Sequence, residues 1–546
     1  MADSKAVAGC SGPGMSFGSN EPPQKVRRLR SVEGKWWENS SATVPNLVSW
    51  PDVSLDLQDS LAYTGKQPKL AEHLNGERVW WVTTSYSGLG TFEHVLSRIA
   101  ALKDDKTKQP HAPFRFWAAS DVDAEARDAL LTSAVCPEHV FGGIEERVSV
   151  ATQEKLNFIV EAMKRRLQKA DDESKTQKDK GPYKKLKADL QERCMKKLIA
   201  VANEGLADEN VPVEGWCWKC GCFCPFLPPK EAGDIHLEAG GNTCVSFSPQ
   251  GGQARWIHPS GSACAIWLAW CKKHVDALFQ ECSHLFNTED TLEEAFPWSD
   301  GWSSTTLQLA AKDVGVPMNR LRKWSWTLRH STLQLCVHLD RNLFMRCCSS
   351  PVQVSGHDFF VLDGDQAESY MKELNMEKQL HEIGGRQFIS PGSSGRLEGY
   401  EALLAGLPNT PPPILDLSQN VAVRDRLSSW APSLLCHSVL WSCKHERKMI
   451  CPEMFLLMGW PVHLEPICHQ VMKGDKSEFP WDPQRLFTML SEKAQCKLLG
   501  NSFHARLVGQ LMMLLLSVTG VCVDEKAEWQ GRSGRNSKDV SHEPVP

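Results

Sequence analysis

A single cysteine, Cys244, lies on a polar loop in the stretch "GGNTCVSFSPQGG", directly after the run "DIHLEA". A thiol at such a place can act as a nucleophile, bind a metal, or pack as a small hydrophobic residue. Glu281 follows a second run, "VDALFQ". A cysteine hydrolase would need an activating histidine, and no neighbouring histidine has a diagnostic spacing. A thiol that attacks an electron-poor ring while a carboxylic acid protonates the ring nitrogen fits a pyrimidine substrate.

Two further segments carry residues suited to cofactor binding. "SYSGLG" places Gly88 and Gly90 before a helical pattern, so the backbone can approach a ligand closely and the helix N-terminus offers unpaired amides. No third glycine completes the dinucleotide fingerprint. Asp121 follows the next apolar run, where nucleoside-binding folds place an acid that accepts from ribose hydroxyls. Together these residues suggest an adenosine-containing cofactor.

Alternating strand and helix patterns must position these residues. Strands are predicted at Arg78 to Thr84, Phe114 to Ser120 and His139 to Ile144, with helical spacing between them. This alternation indicates βαβ units and a mostly parallel sheet covered on both faces. Ligands of such sheets bind beyond the carboxyl ends of the strands. We therefore expect the glycine turn, Asp121, Cys244 and Glu281 to share one edge of one sheet.

Composition restricts the function classes. The 546 residues include 61 basic and 66 acidic ones, so no global positive field steers the chain to nucleic acid, and any such contact must be a local patch. Twenty cysteines in a chain of this length, with no apolar signal segment at the N-terminus, favour reduced thiols in an intracellular protein. The apolar segment from Leu507 contains too many polar residues for a membrane span and predicts a buried helix.

The order of motifs resembles the cytosine-5 methyltransferase family. "YSGLG" with Phe92 is similar to its first motif, Asp121 in "SDVD" to its ribose-binding acid, and "HVFGGI" to its third motif. The Cys244 loop is similar to the catalytic motif, including the Phe-Ser pair, and "QECS" is similar to the motif that contains Glu281. "GVPMNRLRKW", "RKMICPEMFLLMGWP" and "LLGNSFHARLVGQLM" resemble the eighth, ninth and tenth motifs.

The resemblance implies an α/β fold with a Rossmann-like S-adenosylmethionine-dependent methyltransferase domain. It also implies that Cys244 attacks carbon 6 of a flipped-out cytosine and that Glu281 engages ring nitrogen 3, while Arg320 and Arg322 support the catalytic loop and the ring oxygen. Carbon 5 then takes the methyl group, with DNA as the leading substrate. The implied cofactor-binding residues are Tyr86, Gly88, Gly90, Phe92, Asp121, Asn501 and Ser502.

The expected domain organisation follows the motif order. It comprises a disordered polar tail (1–75), the first part of the methyltransferase domain with the cofactor motifs (76–149), a charged and cysteine-rich insertion (150–230), the catalytic part (231–330), a smaller target-recognition region (331–440), C-terminal motifs that complete the methyltransferase domain (441–523) and a second disordered tail (524–546). The basic run from Lys25 to Arg30 has two interpretations: a nuclear localisation signal, if the protein is eukaryotic, or part of a solvated tail.

Two other functions stay open. RNA methylation is the first, since the transfer-RNA branch of the family uses the same chemistry; its Cys-Phe-Thr signature is absent from the recognition region, which favours DNA. A catalytically silent nucleic-acid-binding protein is the second. It is motivated by Gly143, Thr243, Val245 and Met318, which replace an aspartate, a proline and two glutamines usual in the family.

The charged part and the cysteine-rich part of the insertion each allow two interpretations. Its charged part, Met163 to Lys197, is interpreted as a solvated helical face rather than a nucleic-acid arm. Its end, "WCWKCGCFCPF", contains Cys217, Cys220, Cys222 and Cys224. One C-x-x-C spacing is typical of zinc sites, but no second such pair or histidine pair lies at finger distance, so a reduced cysteine-rich loop is favoured over structural zinc.

Overall fold

The computed structural model describes residues 69–74, 78–101, 113–175, 181–208, 211–241, 244–247, 255–368, 389–407, 409–423, 427–462 and 490–522. The basic run from Lys25 to Arg30 and the predicted tail from residue 524 lie outside the described residues. The predicted N-terminal tail includes a helix, Leu70–Leu74, because Leu70 is buried in the core with 2% of its surface exposed.

The secondary structure alternates between strands and helices as expected. The strands, in chain order, are β1 (Trp80–Ser85), β2 (Phe114–Ser120), β3 (His139–Phe141), β4 (Glu214–Cys217), β5 (Cys222–Pro225), β6 (Ile235–Gly241), β7 (Ala277–Ser283), β8 (Trp302–Ala310), β9 (Met318–Asn319), β10 (Leu321–Arg329), β11 (Leu333–Leu335), β12 (Ile414–Asp416), β13 (Ala431–Pro432), β14 (Leu440–Ser442), β15 (Arg447–Lys448) and β16 (Thr519–Val521). The α-helices are α1 (Leu70–Leu74), α2 (Thr91–Ala100), α3 (Ala124–Thr132), α4 (Val150–Ser174), α5 (Gly181–Ala207), α6 (Pro259–His274), α7 (Thr288–Ala295), α8 (Arg341–Cys348), α9 (Pro391–Ala405), α10 (Cys451–Leu457), α11 (Glu492–Asn501) and α12 (Ala505–Val518).

Seven strands form the central sheet in the order β3-β2-β1-β6-β7-β10-β8. The five strands from β3 to β7 are parallel, whereas β10 pairs antiparallel with both β7 and β8. This arrangement confirms the predicted Rossmann-like α/β fold. The predicted strand Phe114 to Ser120 coincides with β2, β1 extends one residue past its predicted end, and β3 stops at Phe141 because a 3-10 turn begins at Ile144.

The sequence explains why the sheet is covered on both faces. Every residue of β1 and of β7 is buried, as expected for central strands between two layers of helices. The largest hydrophobic cluster contains Trp80 and Phe92, and the second largest contains Trp81 and Trp267. Neighbouring residues of β1 thus point to opposite layers, so the sheet separates two cores.

Helix α12 confirms the buried-helix prediction for the apolar segment from Leu507, since all of its residues are buried. Among the described residues, no helix combines the length and apolar character that crossing a membrane requires. The insertion forms the long helices α4 and α5 followed by the β4–β5 hairpin. Surface ion pairs such as Lys164 with Glu161 and Lys196 with Glu192 agree with the predicted solvated face.

Candidate active site

The turn after β1 forms the first part of the site. Tyr86, Gly88 and Gly90 have φ angles of 57°, 55° and 70°, and Gly90 precedes the first turn of α2. A Cβ atom built on Gly88 would have no neighbour within 4 Å, so the backbone borders open space there. No side chain caps the N-terminus of α2 at Gly90, and this left-handed turn leads directly into the helix, an arrangement suited to a polar ligand.

Asp121 joins the turns after β1 and β2. Its carboxylate accepts hydrogen bonds from the backbone N–H of Gly88 at 2.8 Å and from that of Asp123 at 2.9 Å. Burial raises the pKa of Asp121, and these two backbone donors counteract the effect. A carboxylate has about four acceptor positions, so two remain for a ligand's hydroxyl groups.

Aromatic side chains pack beneath and beside the turn after β1. Phe92 is 2% exposed and stacks on Phe279 of β7 with ring centroids 5.1 Å apart. Tyr86 meets Trp267 edge to face at 5.9 Å, and burial raises the pKa of its phenol well above the ordinary value. The structure therefore places Phe92 in the core beneath the turn and Tyr86 against α6.

Glu281 and Arg322 form an ion pair across β7 and β10. The Nε of Arg322 lies 2.8 Å from Oε1 of Glu281, and the two side chains are only 12% and 11% exposed. The register explains the contact: Glu281 pairs with Trp324, so Arg322 is its diagonal neighbour on the same face. One carboxylate oxygen is thus oriented by the guanidinium, which leaves Oε2 for another partner.

The backbone of the Cys244 loop begins beside Glu281. Gly241, the last residue of β6, pairs with Glu281 in the parallel ladder, and Cys244 starts a 3-10 turn three residues later. A Cβ on Gly241 would lie 2.9 Å from the Phe503 ring and 3.3 Å from Oε2 of Glu281, so the glycine leaves room for both groups beside the strand end. Phe247 anchors the loop, since its ring packs 4.5 Å from Phe286. The loop therefore leaves its strand next to the carboxylate, while Thr243 lies outside the described residues.

Arg320 connects the region of the eighth motif to that of the tenth. It is 4% exposed and donates to the backbone carbonyls of Leu434 at 2.7 Å, Gly500 at 3.0 Å and Ser502 at 2.9 Å. Asn501 ends α11 and is exposed, and Ser502 caps the same helix. Arg320 and Arg322 thus have different surroundings: the former holds the backbone around the predicted cofactor residues, and the latter orients Glu281.

Glu93 was not singled out by the sequence, because an acid in the first turn of a helix is common. It is 2% exposed, and its Oε1 accepts a hydrogen bond from Thr84 Oγ1 at 2.5 Å. The Thr84 hydroxyl also contacts Ser87 in the glycine turn at 2.7 Å. Burial raises the pKa of Glu93 to about 7, against the lowering effect of Thr84. This carboxyl therefore titrates near neutral pH directly beneath the turn.

Replacement of Glu93 by Gln is expected to remove a pH dependence of stability. The folded-state pKa of Glu93 is about 7 and its ordinary value is 4.5, so the protonated form favours folding below pH 4.5 and this contribution is lost as the pH rises through 7. Wild type should lose about 3 kcal/mol of unfolding free energy over this range relative to Glu93→Gln. Urea unfolding at pH 5 and pH 8 measures the difference. The exposed Glu138→Gln should behave as wild type, and identical pH profiles of wild type and Glu93→Gln would contradict the assignment.

The insertion brings a histidine to three of the four predicted cysteines. His139, Cys217, Cys220 and Cys224 offer ligand atoms that all lie within 4.8 Å of one another. Cys222 is not a member of this set, although its Sγ lies 3.7 Å from that of Cys224. No local spacing could indicate His139, because 81 residues separate it from Cys220 and the packing of the β4–β5 hairpin against β3 brings the two together.

No family model matches the chain, and no curated protein matches it either. Several solved structures are similar to it. They include the Dnmt2 methyltransferase of S. pombe (12% identity, TM-score 0.38, covering 80% of this chain and 98% of that chain), a putative DNA modification methyltransferase encoded within an E. coli prophage (13%, 0.37, 80% and 99%) and the Entamoeba histolytica methyltransferase EhMeth (10%, 0.33, 80% and 98%).

Proposed function

We propose that this chain transfers a methyl group from S-adenosylmethionine to carbon 5 of cytosine in DNA through a covalent cysteine adduct. The observation that carries the proposal is the buried ion pair of Glu281 with Arg322, at the strand end beside which the Cys244 loop begins. A carboxyl group oriented by a guanidinium, with its second oxygen directed toward the neighbouring strand end, suits engagement of a ring nitrogen.

The turn after β1 fits the proposed cofactor. Gly88 borders open space, no side chain caps the start of α2, and Asp121 retains acceptor capacity for ribose hydroxyls. S-adenosylmethionine supplies an electrophilic methyl group when it is bound. In this proposal Tyr86, Gly88, Gly90 and Asp121 hold its nucleoside part, and Ser502 and Asn501 border the pocket from the tenth motif.

The chain's own residues carry the remaining steps. The Cys244 thiol gives its proton to the Glu281 carboxylate and, as the thiolate, forms a bond to carbon 6 of cytosine. Glu281 passes that proton to nitrogen 3, so the electron pair of the broken double bond makes carbon 5 nucleophilic. After carbon 5 is methylated, its proton leaves to a base and the Cys244–carbon bond breaks, which restores the ring and the thiolate. Nitrogen 3 returns its proton to Glu281. Arg322 keeps the carboxyl oriented throughout, because its Nε holds Oε1.

Trapping with 5-fluorocytosine tests the proposal. A fluorine at carbon 5 blocks the elimination, so wild type with S-adenosylmethionine should form an adduct with DNA that survives a denaturing gel, and Cys244→Ser should form none. The exposed Cys436→Ser is the matched control and should form the adduct as wild type does.

The same oligonucleotide as RNA separates the alternatives. An adduct with RNA alone would replace the DNA assignment by RNA methylation. An adduct with neither polymer, from protein that binds S-adenosylmethionine, would contradict catalysis and favour the silent binding protein. An adduct that persists in Cys244→Ser would exclude Cys244 as the nucleophile.

A further inference from the structure

Four side chains from two distant parts of the chain converge where the insertion meets the central sheet. His139 begins the edge strand β3, Cys217 ends β4, Cys220 lies in the hairpin turn, and Cys224 lies in β5. Their ligand atoms lie within 4.8 Å of one another, and Cys220 Sγ is 3.5 Å from His139 Nδ1. All three cysteines are free thiols. The cluster thus presents three sulfur donors and one nitrogen donor around a single point.

The separation between Cys220 and His139 agrees with tetrahedral zinc coordination. Zn–S bonds of about 2.3 Å and Zn–N bonds of about 2.1 Å place tetrahedral ligand atoms about 3.5 to 3.8 Å apart. The observed 3.5 Å between Cys220 Sγ and His139 Nδ1 lies at the lower end of this range. Since all four positions would be filled by protein atoms, a bound ion would have no open coordination position, which is the property of structural rather than catalytic zinc sites.

Backbone N–H groups donate to the sulfur of Cys217, as they do to metal-binding thiolates. The N–H groups of Val140 and Cys220 both donate to its Sγ at 3.4 Å. Gly221, with φ of 67°, allows the tight turn, in which its N–H donates to the Cys217 carbonyl at 2.9 Å. Donors of this kind stabilise a metal-bound thiolate from the second coordination sphere. One of them comes from β3, the strand that also supplies His139.

Independent contacts hold the hairpin against the sheet. The N–H of Trp218 donates to the Val140 carbonyl at 2.7 Å, and Lys219 Nζ donates to the Pro137 carbonyl at 2.6 Å. The Trp117 ring meets His139 edge to face at 4.5 Å and restricts the imidazole. The four donors are therefore positioned by the surrounding structure before any ion binds.

We propose that His139, Cys217, Cys220 and Cys224 bind one structural zinc ion that fastens the insertion hairpin to the edge strand β3. The inference stands on these contacts and does not depend on the proposed reaction. It replaces the sequence-based preference for a reduced cysteine-rich loop, which relied on local spacing alone. Because β3 continues into Gly142 and Gly143 at the carboxyl edge of the sheet, the ion would also fix the start of that loop.

Metal content of the full chain tests the site. Wild type purified from zinc-supplemented medium should contain about one zinc ion per chain by mass spectrometry of the metals. Cys220→Ser and His139→Ala should each lower the zinc content at least fivefold. The matched control Cys222→Ser changes an exposed thiol of the same hairpin outside the ligand set and should keep the wild-type content.

Cobalt substitution gives a second readout that does not depend on the stability of the variants. Wild type and Cys222→Ser loaded with Co²⁺ should both show the intense visible absorption of a tetrahedral site and the near-ultraviolet band of thiolate-to-cobalt charge transfer. Absence of zinc and of this spectrum in wild type would overturn the proposal. Loss of metal in Cys222→Ser with retention in His139→Ala would overturn the ligand set.

Discussion

Glu281→Gln is expected to lower the rate of methyl transfer by about 10²- to 10⁴-fold, the usual contribution of a positioned acid. The amide has nearly the same shape and can still interact with Arg322, whose Nε lies 2.8 Å from Oε1 in the wild type. It can hydrogen-bond to ring nitrogen 3 but cannot transfer a proton to it. Single-turnover methylation of an oligonucleotide substrate with labelled S-adenosylmethionine measures the effect on chemistry separately from binding.

Glu289→Gln provides the matched control for this prediction. Glu289 pairs with Lys323, the residue after Arg322, at 2.6 Å, but its side chain is 56% exposed. The same substitution there removes a surface ion pair and should change the rate by less than about twofold. If Glu281→Gln also stayed within twofold of wild type while Cys244→Ser were inactive, Glu281 would be a purely structural residue and the proton would come from another group.

Local sequence patterns were sufficient for the strands that lead into the site. The run Phe114 to Ser120 is mostly apolar, is bounded by a proline and an aspartate, and coincides with β2. Cys244, Glu281 and the glycine turn could be assigned to one edge because parallel strands share a direction. Strand β8 was not predicted, since it is an edge strand that mixes polar and apolar residues and leaves several of them exposed or partly exposed.

The residue partners that local sequence patterns could not predict depend on contacts between distant parts of the chain. The partner of Glu281 depends on the register of β7 against the antiparallel β10, which no local pattern encodes. His139 joins cysteines about 80 residues away only because β4 lies beside β3. Glu93 is unremarkable in a helical first turn, and its raised pKa arises from burial under the sheet. In each case tertiary contacts give ordinary residue types their special environment.

The buried pair of Arg447 and Glu453 is expected to have the largest effect on stability. The two groups form two hydrogen bonds, at 2.7 and 2.9 Å, and Glu453 is completely buried. Its carboxylate also accepts from the backbone N–H groups of Leu362 and Ile450, both at 3.1 Å. This one side chain thus satisfies three donor groups from two segments, Leu362 in one and Arg447 with Ile450 in the other.

Glu453→Ala should therefore lower the free energy of unfolding by about 3 to 5 kcal/mol, because it leaves a buried guanidinium and two backbone donors without their acceptor. Chemical unfolding followed by tryptophan fluorescence measures the loss. Glu492→Ala, which removes the partly exposed partner of the adjacent Lys448, should cost less than about 1 kcal/mol. The double replacement Arg447→Met with Glu453→Leu should recover part of the loss, since it removes both charges together but still leaves the two backbone N–H groups without their acceptor. Equal destabilisation by Glu453→Ala and Glu492→Ala would show that burial of this pair contributes nothing beyond a surface contact.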